Sequence, residues 1–268
     1  MPRLSLIFVT FRLLAVALLT IFWGGPVILL SFFDPYAERA ALLVRLWAKG
    51  VLWVCGITLR IHGQERIDAT KAHLFMANHQ SNLDIPILMV ALGLLQVRWV
   101  SKRAVRKVPI IGLCMQRTHQ VLVDRESPTQ AVAVIRQVKA LLGAGISVIF
   151  FPEGTRTRDG RLQEFKPGGF VVAVETGVSI VPITVKGSRA LWPPGGFDIR
   201  PGVVEVIFDE PILVDTHLSR KASREDLLKR VRAAIAAQLQ EDPASSVPET
   251  VSVAVQPLTA EMSEWPSS

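Results

Sequence analysis

Half of the 268 residues are hydrophobic and a fifth are charged, so the chain can bury a sizeable core and is not a disordered polyelectrolyte. Its formal charge of +7 and isoelectric point near 9.8 suit a polyanionic partner; anionic lipid, phosphorylated substrates and nucleic acid all qualify on charge alone. The only cysteines, Cys55 and Cys114, lie in apolar neighbourhoods, which argues against a disulfide framework and for a reducing compartment.

The first element is apolar. Leu13 to Phe33 is a run of 21 uncharged residues, long enough for a helix to cross a bilayer core of about 20 residues. Gly24-Gly25-Pro26 interrupts it, so the run reads either as one span or as two shorter apolar helices. Ala15-Val16-Ala17 mimics a signal cleavage site but sits too early in the run to be one. Glu38 to Ile57 follows with a thin stripe of Glu38, Arg45, Lys49 and Gly56 on a largely apolar helix. Such a pattern fits a helix lying in a membrane interface, or a core helix. Basic residues flank both ends of the first run, so a re-entrant hairpin competes with a true span.

From Thr58 the pattern changes to short β-branched runs separated by helical periods. Strands are predicted at 58–62, 73–77, 97–101, 120–124, 147–151, 180–185 and 203–208. Helices are predicted at 85–92, 168–176 and 224–240, and at 127–145, where Ser127 and Pro128 open the helix and Gly143 and Gly145 stop it. The expected fold class is α/β, a mixed, mostly parallel sheet covered by helices, with an N-terminal membrane-embedded helical segment. The expected division is an anchor at 1–57, an α/β domain at 58–240, and a Pro-, Ser- and acid-rich mobile tail at 241–268.

Two strand ends carry chemistry. In Asn78-His79-Gln80-Ser81-Asn82-Leu83-Asp84, His79 and Asp84 would point some 140° apart on one helix. Pro86 belongs in a first helical turn, so His79 must precede the helix that Asp84 opens. The pair reads as a base with its orienting acid, or as a loop histidine beside a capping carboxylate, since Ser81-x-x-Asp84 resembles a capping box. The second segment, Phe150-Phe151-Pro152-Glu153-Gly154-Thr155-Arg156, supplies a glycine for close approach, a hydroxyl and a guanidinium fork suited to phosphate, or is an ordinary turn. The histidines lack zinc-ligand spacing, so no metal is expected.

These segments resemble the N-H-x4-D and F-P-E-G-T-R signatures of the glycerolipid acyltransferases, in particular the 1-acyl-sn-glycerol-3-phosphate acyltransferase family. Residues 100–125 (Lys102, Pro109-x-x-Gly112, Asp124-Arg125) and 180–188 resemble two further blocks, in the family's order. One departure is Arg103-Ala104-Val105, where relatives carry Glu-Leu. The resemblance implies acyl transfer from acyl-CoA or acyl-ACP to the sn-2 hydroxyl of a lysophosphatidic acid, with another lysophospholipid or a lyso-aminolipid as the alternative acceptor. It implies a catalytic pair in His79 and Asp84 and an acceptor site in Glu153, Gly154, Thr155 and Arg156. Lys102 and Arg125 are secondary candidates for phosphate or donor contacts. The expected cofactor is none, the acyl thioester being a substrate. Expected partners are the two substrates, anionic membrane lipid and, as a donor, acyl carrier protein, but not nucleic acid. The expected location is a bacterial-type cytoplasmic membrane with the site on its cytoplasmic face. A metal-dependent phosphohydrolase and a non-catalytic lipid carrier are the competing classes.

Overall fold

A computed structural model describes residues 3–34, 36–124, 128–240 and 251–253. In chain order the elements are α1 (Arg3–Leu30), α2 (Glu38–Cys55), β1 (Ile57–His62), β2 (Leu74–Ala77), α3 (Asp84–Ala91), β3 (Val97–Lys102), α4 (Ile111–Arg117), β4 (Val121–Val123), α5 (Pro128–Gly143), β5 (Ser147–Phe150), α6 (Gly168–Thr176), β6 (Ile180–Lys186), α7 (Ser188–Leu191), β7 (Gly202–Phe208), α8 (Arg220–Gln240) and β8 (Val251–Val253). The seven predicted strands form within a residue or two of their expected ends; α4 and α7 are too short to show a helical period. Ser127 lies outside the described residues. So does the expected tail, apart from 251–253, which pairs antiparallel with β1.

The sheet order is β4-β3-β5-β2-β6-β7-β1-β8. From β4 to β6 neighbouring strands are parallel; β6 and β7 are antiparallel, and β7 is parallel to β1. Alternation along the strands splits the core into two layers. Phe75, Ala77, Ile149 and Val181 face α2 and α3, where Leu52, Cys55, Ile87 and Leu88 meet them. Leu74, Met76, Val148 and Phe150 face α6 and α8, with Phe170, Leu227 and Val231 opposite. Both faces of the central strands are therefore dry, as a parallel sheet requires.

Unlike the two-helix reading of the first run, α1 continues unbroken through Gly24-Gly25-Pro26. Pro26 falls in the last turns, where its missing N–H frees a single carbonyl. Gly24 has a packing reason: a Cβ there would lie 2.2 Å from Ile110 Cγ2, so the helix can approach α4 only without a side chain. Cys114 Sγ donates to Gly24 O at 3.7 Å on the same contact. Leu13, Val16 and Leu19 pack on the core beneath, Arg12 Nη1 donates to Ile199 O at 2.9 Å, and Trp47 Nε1 on α2 donates to Thr20 Oγ1 at 3.1 Å. The opposite face of α1 is bare: Phe8, Phe11, Leu18, Ile21 and Phe22 are each more than half exposed. Residues Ile7–Leu30 have a mean hydropathy of 2.4 and are long and apolar enough to cross a membrane by length and composition.

The second helix begins under Asp34, whose Oδ2 accepts the N–H groups of Arg39 at 2.7 Å and Ala40 at 3.1 Å. It ends at Gly56, which takes the left-handed conformation that starts β1. Its apolar side is buried in the core through Ala48, Val51, Leu52 and Cys55, while Leu42 and Trp53 remain exposed.

The close approach at Gly24 is testable. Gly24→Ala is expected to destabilise the protein by about 1–3 kcal/mol through overpacking, seen as a lower Tm of detergent-solubilised protein. Gly25→Ala, whose added Cβ meets nothing within 4 Å, is expected to leave Tm unchanged or raise it. Equal Tm values for the two variants would show that α1 does not pack on Ile110 in this way.

Candidate active site

Three adjacent parallel strands, β5, β2 and β6, end on the same edge of the sheet, and the loop after each supplies part of the site. Asn78, directly after β2, is fully buried and continues the ladder with its side chain: Nδ2 donates to Val185 O at 2.9 Å and Oδ1 accepts Val185 N–H at 2.7 Å. This fixes where the next residue, His79, leaves the sheet.

The Asp84 carboxylate, with no exposed surface, is the centre of the arrangement. Its Oδ2 accepts from His79 Nδ1 at 2.8 Å and from the N–H groups of Gln80 at 2.6 Å and Ser81 at 2.7 Å. Its Oδ1 accepts from Ser188 Oγ at 2.6 Å. A carboxylate has no proton to give, so Nδ1 is the donor in this bond, and in the neutral imidazole the lone pair is then on Nε2. The capping alternative is not realised: Leu83 is the N-cap of α3 and the helix start carries no side-chain cap, so Asp84 accepts N–H groups of the loop ahead of the helix, while Ser81 Oγ accepts the Leu83 N–H at 3.0 Å. The imidazole lies flat on Phe151, with ring centroids 3.9 Å apart and planes 11° apart, and its side chain is 14% exposed.

Glu153, expected in the acceptor site, faces inward. It is buried, with Oε1 accepting the His79 N–H at 2.7 Å and Oε2 the Gln163 N–H at 2.9 Å. Burial pushes its carboxyl above the ordinary value, opposed by these two bonds. Gly154 takes φ +77°, which turns the chain so that Thr155 and Arg156 emerge exposed. Thr157 N–H then donates to His79 O at 3.0 Å, closing the post-β5 loop over the histidine. Arg156 Nη1 donates to Asn82 Oδ1 within the His79–Asp84 loop. Lys102 stands exposed at the end of β3, two strands from β2, and Arg125 lies outside the described residues.

The structure thus joins His79, Asp84, Glu153, Gly154 and Arg156 around one point and leaves Lys102 on the rim. Sequence reasoning assigned no role to Ser188 or Phe151, although both lie in quoted segments; only the strand order places Ser188 beside Asp84. Among the described residues no three His, Cys, Asp or Glu side chains form a cation-holding cluster. A cavity of about 410 Å³ opens beside the loop, reaching from Asn82, Trp99 and Trp192 to Trp23 and Val27 on α1 and Met89 on α3. Its wall is mostly apolar, as a lipid tail would require.

The acyltransferase family model matches residues 58–186, the stretch holding all these groups except Ser188. The chain is 38% identical over 192 residues to the chloroplastic 1-acyl-sn-glycerol-3-phosphate acyltransferase of Arabidopsis thaliana, covering 70% of this chain and 52% of that one. It is 29% identical over 191 residues to the 1-acyl-sn-glycerol-3-phosphate acyltransferase of Pseudomonas aeruginosa, covering 69% of this chain and 72% of that one. The chain therefore spans about half the length of the plastid relative. The crystal structure of the 1-acyl-sn-glycerophosphate acyltransferase PlsC from Thermotoga maritima matches with a TM-score of 0.71 at 25% identity, covering 89% of this chain and 97% of that one. By its motifs, its fold and these likenesses, the chain carries an acyltransferase domain that is similar to those of the 1-acyl-sn-glycerol-3-phosphate acyltransferases.

Proposed function

We propose that the protein transfers a fatty acyl group from acyl-CoA or acyl carrier protein to the sn-2 hydroxyl of 1-acyl-sn-glycerol 3-phosphate, giving phosphatidic acid. The observation that carries this reading is the His79 imidazole held through Nδ1 by buried Asp84. An alcohol is a weak nucleophile at neutral pH, and Nε2 accepts its proton as the oxygen attacks the thioester carbonyl. Asp84 fixes the tautomer and steadies the imidazolium that forms. Collapse of the tetrahedral intermediate breaks the carbon–sulfur bond, and the departing thiolate takes the proton back from His79. Transfer is direct: Cys55 is buried in the core on α2, and Cys114 sits on α4 against Gly24.

In this reading Arg156 takes the acceptor's phosphate, exchanging its bond to Asn82 for a charge-assisted pair. Gly154 and Thr155 shape the mouth, Lys102 adds positive charge at the rim, and Glu153 positions His79 from below. The apolar cavity receives an acyl chain. The bare face of α1 sits in the lipid of a cytoplasmic membrane, with the domain on the cytoplasmic side where thioesters are available. Because α1 is docked on the domain from Arg12 to Gly24, a seat in one leaflet fits better than a free span.

His79→Ala is expected to abolish turnover while the protein still folds and binds membrane. Ser188→Ala is expected to lower kcat by roughly three- to tenfold, from loss of one hydrogen bond to a charged group, with both KM values little changed. Transfer by purified His79→Ala protein at near wild-type rate would refute the mechanism. For Arg156→Ala, kcat/KM toward the acceptor should fall by roughly ten- to two-hundredfold, with the donor's KM scarcely moving and Lys restoring only part of the loss. Unchanged acceptor kinetics would remove Arg156 from the phosphate site. For the anchor, sedimentation after washing membranes should find the protein retained in high salt and released by detergent; quantitative release by salt would mean that charge, not apolar burial, holds it.

A further inference from the structure

The loop after β5 carries more positive charge than one phosphate monoester needs. Residues 156–161 read Arg-Thr-Arg-Asp-Gly-Arg, and Arg189 leans on them from α7. Its Nη2 donates to Arg158 O at 2.6 Å, and its guanidinium lies 3.4–3.5 Å from where a Cβ on Gly160 would stand. Arg156, Arg158 and Arg161 are exposed, while the Nε of half-buried Arg189 is buried without a hydrogen-bond partner among the described residues. Of the loop's carboxylates Glu153 is buried, Glu164 is exposed, and Asp159, the one within 156–161, accepts from Thr157 Oγ1 at 2.8 Å and from the Arg161 N–H at 3.0 Å. None of the four arginines forms a salt bridge with a described acid. Such a cluster draws anions.

The cluster is also divided. Arg156 reaches Asn82. The 158–160 turn instead adjoins Gln80, whose Nε2 donates to Gly160 O at 3.3 Å, with Thr157 tied to His79 O between them. Two anion positions therefore flank one histidine. In a lysophosphatidic acid the phosphate is two carbons from the reacting hydroxyl, so it must bind close to His79. In a pantetheine thioester the phosphate is at the far end of a long flexible arm, so it must bind away from His79, on the surface.

We propose that Arg158, Arg161 and Arg189 form a second anion site, separate from the acceptor's, that takes the 4′-phosphate of the donor's phosphopantetheine arm, a group common to acyl-CoA and acyl carrier protein. The site rests on the acyl-transfer reading and assigns the donor its own electrostatic seat.

Steady-state kinetics of the full chain in detergent micelles test it with four donors of one acyl chain: acyl-CoA, acyl carrier protein, acyl-4′-phosphopantetheine and acyl-pantetheine. The last two differ only in the phosphate. Arg158→Gln, whose side chain makes no hydrogen bond or salt bridge among the described residues, and Arg189→Gln should each raise KM roughly five- to tenfold for the three phosphate-bearing donors. Both should leave KM for acyl-pantetheine and for the acceptor unchanged within about twofold, and Arg158→Gln should keep the wild-type Tm. An equal loss with acyl-pantetheine, a rise in the acceptor's KM, or no change in either variant overturns the proposal. A rise with acyl-CoA alone overturns it too, since the contact would then be with the nucleotide phosphates. Wild-type protein inactive with every donor would instead bring down the acyl-transfer reading and this site with it.

Discussion

The four hydrogen bonds that converge on the buried Asp84 carboxylate set the requirement that the rest of the catalytic domain meets. A carboxylate removed from water must recover from protein donors what it loses in hydration. Here the donors come from the loop after β2 and from Ser188 after β6, so the two strands must be neighbours with their carboxyl ends aligned. The parallel register of Ala77 opposite Ile183 supplies that alignment. Glu153, one strand to the other side, holds the backbone of His79 in the same way. Loop positions that a flexible surface segment could not maintain are thus specified by the sheet.

The N-terminal hairpin obeys a different constraint. α1 has one face made for packing and one that none of the described residues covers, so burial within the described chain accounts for only part of its apolar surface. A soluble domain rarely leaves so continuous an apolar face uncovered. The packed face is nonetheless specific: Gly24 accepts Ile110, Thr20 accepts Trp47 and Arg12 reaches Ile199. The helix is therefore part of the wall of the apolar cavity on one side and presents its bare face outward on the other.

Much of this was legible in the sequence because its signals are local. The position of Pro86 separated His79 from the helix that Asp84 opens, and β-branched runs marked the strands. Whether Asp84 was a cap or an orienting acid could not be settled from spacing, because Ser81-x-x-Asp84 has the spacing of a capping box even though the helix takes Leu83 as its N-cap. The inward turn of Glu153 was not legible, since a carboxylate beside Gly154 looks the same in sequence whether it meets substrate or backbone N–H groups. Ser188 needed the strand order, a non-local fact. The continuity of α1 through Pro26 stayed open because local propensity yields to the packing of Gly24 on Ile110.

The stacking of Phe151 beneath His79 bears on the direction of approach. With a phenyl ring covering one face and Asp84 holding the Nδ1 edge, the imidazole cannot swing, and a flip that would bury Nε2 would have to break both contacts together. The hydroxyl can reach the base only at its remaining nitrogen, in the plane of the ring, where the lone pair lies. When the ring takes up the proton, its new charge rests over the electron-rich face of an aromatic neighbour, an attraction absent from the neutral imidazole. In the proposed mechanism Phe151 would thus favour the imidazolium over the neutral ring, and a side chain of apolar chemistry would become part of the electrostatics of the reaction.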